Sequence, residues 1–278
     1  MNISEHITRF DQELKRRNFA DTTRETYVSN VKIFFEKSTK DHPKNINEDD
    51  IRKFLSQFNQ PNTQRSFHSA IKKFYEICLG QKEKFKYIPY ARKEKRLPIV
   101  LSVSEIQAMF DACGNIKHRV ILALLYSCGL RVSELLNLKL AHIDRSRMII
   151  NVIQAKGNKD RQVMLTPEIV PLLEKYWNEY RPKEYVLNGQ FPEKDLQYSE
   201  RSVGNVIKQL AAKAGINKRV YTHLMRHCSF THMVEAGTDI NLIQKIAGHS
   251  SVKTTNIYLH ISHNHISKIK SPLNAISL

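Results

Sequence analysis

The chain has 278 residues, enough for one large or two modest domains that each bury a core. Lys and Arg total 44 against 27 Asp and Glu, and the excess is spread: residues 1–96 carry 21 basic and 13 acidic side chains, residues 97–278 carry 23 and 14. Both halves therefore suit a grip on a polyanion, while the sequence offers no apolar run of membrane-spanning length, no secretory leader in MNISEHITRFDQELKRR and no CxxC pair among its four scattered cysteines.

Ile3, Ile7, Phe10 and Leu14 recur at helical spacing and predict a first helix. Thr22 or Thr23 caps a second, which carries Tyr27, Val31, Phe34 and Phe35. Asn47, with Asp50 three residues on, resembles a capping box ahead of Ile51, Phe54, Leu55 and Phe58. Pro61 opens a fourth helix with Phe67, Ile71, Phe74 and Cys78 on one face, and Gly80 ends it. Residues 1–90 thus predict a four-helix bundle. The stretch QKEKFKYIPYARKEKRLPIV holds Pro89 and Pro98 and has no periodicity, which predicts an extended linker with a basic segment at 91–98. Its Arg92, Lys93, Lys95 and Arg96 form either a solvated strap or a crossing over a phosphate backbone, and the second reading is preferred.

The second half opens with Ser104 and Gln107 as a capping box, followed by a buried helix with Val120, Ile121, Leu124 and Leu125 that ends near Gly129. Arg131 lies just beyond and leads into a short helix over 133–138. The period then becomes alternating. Met148, Ile150 and Val152 precede the turn KGNKD, and Val163 and Leu165 follow it, which predicts a β-hairpin with Lys156 at its tip. Helices resume after Pro167, after Ser199 and around His223, where Gly237 closes the helix. Asp239 caps another to Ala247, Gly248 breaks it, and Ser251 starts the one bearing Tyr258. The fold class is mainly α: an N-terminal four-helix bundle, then a mostly α domain over 99–278 with a small antiparallel sheet.

Chemistry concentrates between His223 and His260, in HLMRHCSFTHMVEAGTDINLIQKIAGHSSVKTTNIYLH. A phosphodiester is protected by its negative charge and by a poor alkoxide leaving group. Cleaving it without a metal takes fixed cations, a nucleophile and proton carriers. Two guanidiniums, Arg131 and Arg226, can clamp nonbridging oxygens with a geometry that lysine cannot copy. Tyr258 is the candidate nucleophile, and Lys156, with Lys159 as its neighbouring competitor, is the candidate donor to the leaving oxygen. His223 and His227 also show the i, i+4 spacing of a helical zinc pair. The Glu of HExxH is missing, however, and Arg226 would set a cation beside the ion, so no metal site is expected. His6, His42, His68, His118 and His142 read as core or surface residues.

The order Arg131, Lys156, His223-x-x-Arg226, His249, Tyr258 resembles that of the tyrosine recombinases, or phage-integrase family, across nearly the whole chain. GLRVSEL, THMVEAGTDI and GHSSVKTTNIY look like the family's words, and Glu134 resembles the acidic residue that supports the first arginine. Met225 and Ala247 stand where leucine is usual, both apolar exchanges. The resemblance implies a core-binding domain, a catalytic domain and a C-shaped clamp around duplex DNA, with Arg92, Lys93, Lys95, Arg96, Lys159 and Arg161 as DNA contacts. It implies a site-specific recombinase forming a 3′-phosphotyrosyl intermediate, needing no cofactor and no ATP. Assembly as a tetramer on double-stranded DNA, accessory DNA-bending proteins and a cytoplasmic, nucleoid-associated location follow from it too. The apolar tail after Tyr258, with Ile261, Ile266 and Ile269, is a candidate for docking onto a neighbouring protomer. Two alternatives share the residues. A type IB topoisomerase would act as a non-specific monomer, and a non-catalytic DNA-binding protein would need neither Tyr258 nor Lys156.

Overall fold

A computed structural model describes residues 2–40, 42–92, 99–155, 159–189, 197–249 and 251–261. The chain separates into two compact units, residues 1–95 and 96–278. The first holds α1 (Ile3–Arg16), α2 (Asp21–Glu36), α3 (Glu48–Ser56) and α4 (Pro61–Leu79). Phe10, Phe34, Phe54, Phe67 and Phe74 fill its core together with aliphatic residues from every helix. Asn47 and Asp50 form the expected reciprocal cap, each amide 2.9 Å from the other side chain. Gly80 ends α4 in the left-handed conformation at φ 68°.

Two sequence expectations in this unit are corrected. α2 starts at Asp21 after Ala20, with no side-chain cap, so Thr22 and Thr23 lie inside its first turn. The segment after Gly80 is not all linker either. A 3-10 turn at Lys82–Phe85 carries Phe85 into the bundle core, and Ile88 follows it there. Arg52 donates to the Tyr87 carbonyl at 2.9 Å and Arg65 to that of Ala91 at 3.0 Å, while His68 meets the Ile88 carbonyl at 2.9 Å. Two apolar anchors and three captured carbonyls hold a stretch that lacks any period.

The second unit runs α5 (Val103–Asp111), α6 (Ile116–Ser127), α7 (Val132–Leu136), β1 (Ile143–Asp144), β2 (Ile149–Ala155), β3 (Lys159–Met164), α8 (Ile169–Tyr180), α9 (Glu200–Lys213), α10 (Thr222–Glu235), α11 (Ile240–Ala247) and α12 (Val252–Ile261). α6 is buried on all sides from Val120 to Leu125 and packs against α7, α8, α9 and α10, as a helix apolar all round must. The box that opens the unit is Ser102 with Glu105, two residues before the one expected, because Ser102 has the extended backbone that a cap requires. The sheet is antiparallel in the order β1-β2-β3, one strand more than the hairpin foreseen. Met148 is not part of it; it sits in the β1–β2 turn at φ 53°. Ile150, Val152 and Val163 point into the core. The hairpin tip at 156–158 lies outside the described residues, as does the tail from 262.

All four cysteines are buried and free. Among the described residues, no helix is long and apolar enough to cross a membrane.

Candidate active site

The site is assembled around the C-terminus of α11. A helix end leaves its last carbonyls without partners inside the helix, and here three guanidiniums take them. Arg226 donates to the Ala247 carbonyl, and Arg131 reaches the same oxygen at 3.3 Å. Arg161 donates from Nε to the Ile246 carbonyl at 2.7 Å. The positive groups also sit at the negative end of the helix dipole, which favours them.

Arg226 rises from α10 and is 1% exposed. Its Nη1 donates to the Gly129 carbonyl, and its Cζ lies 4.7 Å above the centre of the Phe230 ring. Burial, then the charge of Arg131, lowers its pKa to about 9, which leaves it cationic at neutral pH. Gly129 bends the chain between α6 and Arg131 at φ 57°, and a Cβ there would lie 2.6 Å from Phe230 Cζ. Gly129→Ala is therefore expected to cost about 2–4 kcal/mol, from backbone strain plus overpacking against an immobile ring. Chemical denaturation checks this, and a change under about 0.5 kcal/mol would contradict it.

Arg131 stands at the N-cap of α7 with its side chain 20% exposed. Glu134, one turn on, accepts from Arg131 Nη1 at 2.6 Å and from its amide at 2.7 Å. Glu134 also receives both terminal nitrogens of Arg161, at 2.6 and 2.7 Å. Burial alone would raise its pKa. The guanidinium bonds, those of Arg161 first, outweigh burial and bring the carboxyl down to about 2, so it is ionised across the working range.

His249 follows Gly248, which ends α11 at φ 62°. Its Nδ1 is 3.0 Å from Thr255 Oγ1 and its Nε2 is 3.5 Å from Arg226 Nη2. A guanidinium only donates, so Nε2 bears the lone pair and Nδ1–H donates to Thr255. Burial, then Arg226 and Arg131, pushes the His249 pKa to about 4, which keeps the ring neutral. His223, in the exposed first turn of α10, is lowered by partial desolvation and then by the same two arginines.

Tyr258 on α12 is 2% exposed. Its ring stacks on His249 at 6.2 Å and 16°, and leans on Phe230 at 5.5 Å and His227 at 5.8 Å. Burial raises the phenol's pKa, while Arg226 and then Arg131 pull the other way. Burial prevails, so the resting phenol stays protonated, and the two arginines only partly offset it; attack therefore needs a group to take the proton.

Arg131, Glu134, Arg226, His249 and Tyr258 meet in one place. His223 joins them through His227, its ring edge-on at 4.6 Å. Lys156, Lys93, Lys95 and Arg96 lie outside the described residues, as does the side chain of Lys159, while Arg92 is exposed at the end of the first unit. Arg161, expected among the DNA contacts, is instead 6% exposed at its side chain and turned inward onto Glu134. Sequence reading missed Phe230, Thr255 and the α11 carbonyls, and saw His227 only as a zinc-spaced partner. Periodicity could have flagged Thr255, which falls on the buried face of a polar helix. Nothing in a sequence marks a main-chain oxygen.

Residues 100–265 match the model of the phage integrase family, and residues 7–84 that of the phage integrase N-terminal SAM-like domain. A putative integrase/recombinase, y4qK, of Sinorhizobium fredii is 32% identical over 274 residues, spanning 96% of this chain and 88% of that protein. Tyrosine recombinase XerD of Staphylococcus saprophyticus is 32% identical over 216 residues, 73% of each chain. Among solved structures, XerA recombinase is 27% identical with a TM-score of 0.57, covering 97% of this chain and 100% of that one. A lambda integrase dimer bound to a COC′ core site is 16% identical with a TM-score of 0.80, over 97% and 80%, a likeness of fold.

Proposed function

Because the chain belongs to the phage integrase family of tyrosine recombinases, we propose that Tyr258 is the nucleophile of a site-specific DNA recombinase. The observation that carries this is the packing of Tyr258 beside Arg226 and His249, with Arg131 on the same α11 carbonyl. The phenolic oxygen attacks the scissile phosphorus, forming a 3′-phosphotyrosyl bond as the bond to the 5′-oxygen breaks. Arg131 and Arg226 hold the nonbridging oxygens, where charge grows in the transition state. His223 and His249 stand by as neutral imidazoles, the state in which a ring can accept the phenol's proton. Lys156 supplies a proton to the 5′-oxygen. The new ester conserves the energy of the old one, so a 5′-hydroxyl from another strand can reverse the step and no nucleotide is needed.

Residues 1–90 act as the core-binding domain, 91–98 as a basic linker and 99–278 as the catalytic domain, both domains gripping one duplex. Their charge supports this, since each half of the sequence is basic. Assembly as a tetramer is supported by the likeness in fold to a lambda integrase tetramer bound to a Holliday junction. The recombination itself, whether integration, excision, inversion or dimer resolution, takes place on cytoplasmic DNA in this reading, with accessory DNA-bending proteins as candidate partners.

The test traps covalent protein–DNA adducts on genomic fragments in excess EDTA and maps their sequences. Adducts at one recurrent site, joined through Tyr258, are expected; adducts that form only when Mg²⁺ or Zn²⁺ is restored would overturn the mechanism. On a nicked duplex built from that site, Lys156→Ala should cleave about 10²-fold or more slowly. A bridging 5′-phosphorothiolate, whose thiolate leaves unprotonated, should restore the rate. Equal defects on both substrates would remove Lys156 from the leaving-group role.

A further inference from the structure

Arg161 is a cation of the β3 strand in a basic protein, and such a residue would ordinarily meet the DNA backbone. Its surroundings point elsewhere. Three of its nitrogens are engaged within the protein: Nη1 and Nη2 on the two oxygens of Glu134, and Nε on the Ile246 carbonyl. Gly248 leaves room for the stem. A Cβ at that position would lie 2.9 Å from Arg161 Cδ, so a side chain there would have to push the Arg161 stem aside.

The connections run in two directions. Glu134 fixes Arg131 through both its side chain and its amide. Ile246 and Ala247 form the last turn before Gly248 and His249, and the Ala247 carbonyl takes Arg226. One fork-shaped side chain thus ties the element presenting Arg131 to the turn presenting His249.

We propose that Arg161 is a positioning residue for strand cleavage, which holds Glu134 and the α11 terminus in register so that Arg131 and His249 address the same phosphate. This rests on the recombinase reading above. A planar guanidinium can make these three directed bonds at once, whereas an ammonium on a flexible stem cannot. Loss of the fork leaves Glu134 free to draw Arg131 away from the substrate. Displacement of a clamping group by about 1 Å costs on the order of 10²-fold in rate.

The experiment compares the full-length parent with Arg161→Lys and Arg161→Ala on a nicked duplex carrying an adduct-mapped sequence. Binding is measured across a salt series, and single-turnover cleavage is measured on saturated complexes. Arg161→Lys should match the parent in affinity and salt slope, and reach the same final adduct yield about 10²-fold more slowly. Glu134→Gln added to Arg161→Lys should cost less than the product of the two single effects, since both changes weaken the Arg161–Glu134 linkage, while the remaining loss reflects Glu134's own hold on Arg131. A residue that only props up the fold would lower binding and yield together and leave the rate of the surviving complexes intact. That result would overturn the proposal. So would weaker binding with a salt slope reduced by about one at an unchanged rate, the signature of a phosphate contact. If Arg161→Ala does not fold, Arg161→Lys alone decides. Failure of the parent to form any adduct in the mapping step would sink the recombinase reading itself, whereas a parent that forms it, matched in rate by Arg161→Lys, would sink only this one.

Discussion

Tyr258→Phe should bind its DNA site as the parent does and lose covalent adduct formation by roughly 10⁴-fold or more, the scale of deleting a nucleophile. The exchange removes one oxygen and no positive charge. The ring stays where it is, since its contacts with Phe230, His227 and His249 are ring contacts that phenylalanine keeps. Stability should therefore move by less than about 1 kcal/mol, and loss of activity cannot be blamed on the fold. Gel-shift titration beside denaturing-gel detection of the adduct separates the two quantities. An adduct from Tyr258→Phe at the parental yield would transfer the nucleophile's role to another residue.

The second large effect is expected at Arg226. Two changes distinguish its structural part from its chemical one. Arg226→Ala leaves the buried Gly129 carbonyl without its donor and the Ala247 carbonyl with only the longer bond from Arg131. At about 1–3 kcal/mol for an orphaned buried group, plus the space left by a fully buried side chain, it should cost roughly 2–5 kcal/mol of stability as well as activity. Arg226→Lys retains a charge but offers an ammonium, which cannot hold both carbonyls and still meet a phosphate in a fork. It should fold, bind DNA and cleave about 10³-fold or more slowly than the parent. Thermal denaturation and single-turnover cleavage read the two parts. Cleavage by Arg226→Lys at the parental rate would refute the clamp.

Much of the fold was legible because its signals are local. Helix starts at Asn47, Ser199 and Asp239 are caps bonding to amides two or three residues away, and the stops at Gly80 and Gly248 are single positive-φ residues. Local reasoning failed where distant partners decide. Ala20 gives no cap signal because α2 starts without a side-chain cap. Residues 82–91 look like linker because their anchors, Arg52, Arg65 and His68, sit on α3 and α4. The candidate site followed the same division. Arg131, His223, Arg226, His249 and Tyr258 were recognisable by residue type and order. The inward turn of Arg161 was not, because its partners are 27 and 85 positions away. A cation three residues into a strand gives no hint of which way it will face until Glu134 and α11 are in place.

The acceptors at the end of α11 are main-chain oxygens, and this bears on how the protein tolerates change. No substitution can delete a carbonyl, so the side chains at 246 and 247 can drift among apolar types while the arginines keep their anchor. Length is another matter. Removing one residue between Asp239 and Gly248 would turn the helix end by about 100° and swing both oxygens away from their donors. The site is thus permissive toward spelling and strict toward spacing, and an insertion or deletion in this eight-residue helix would unseat the arginines together.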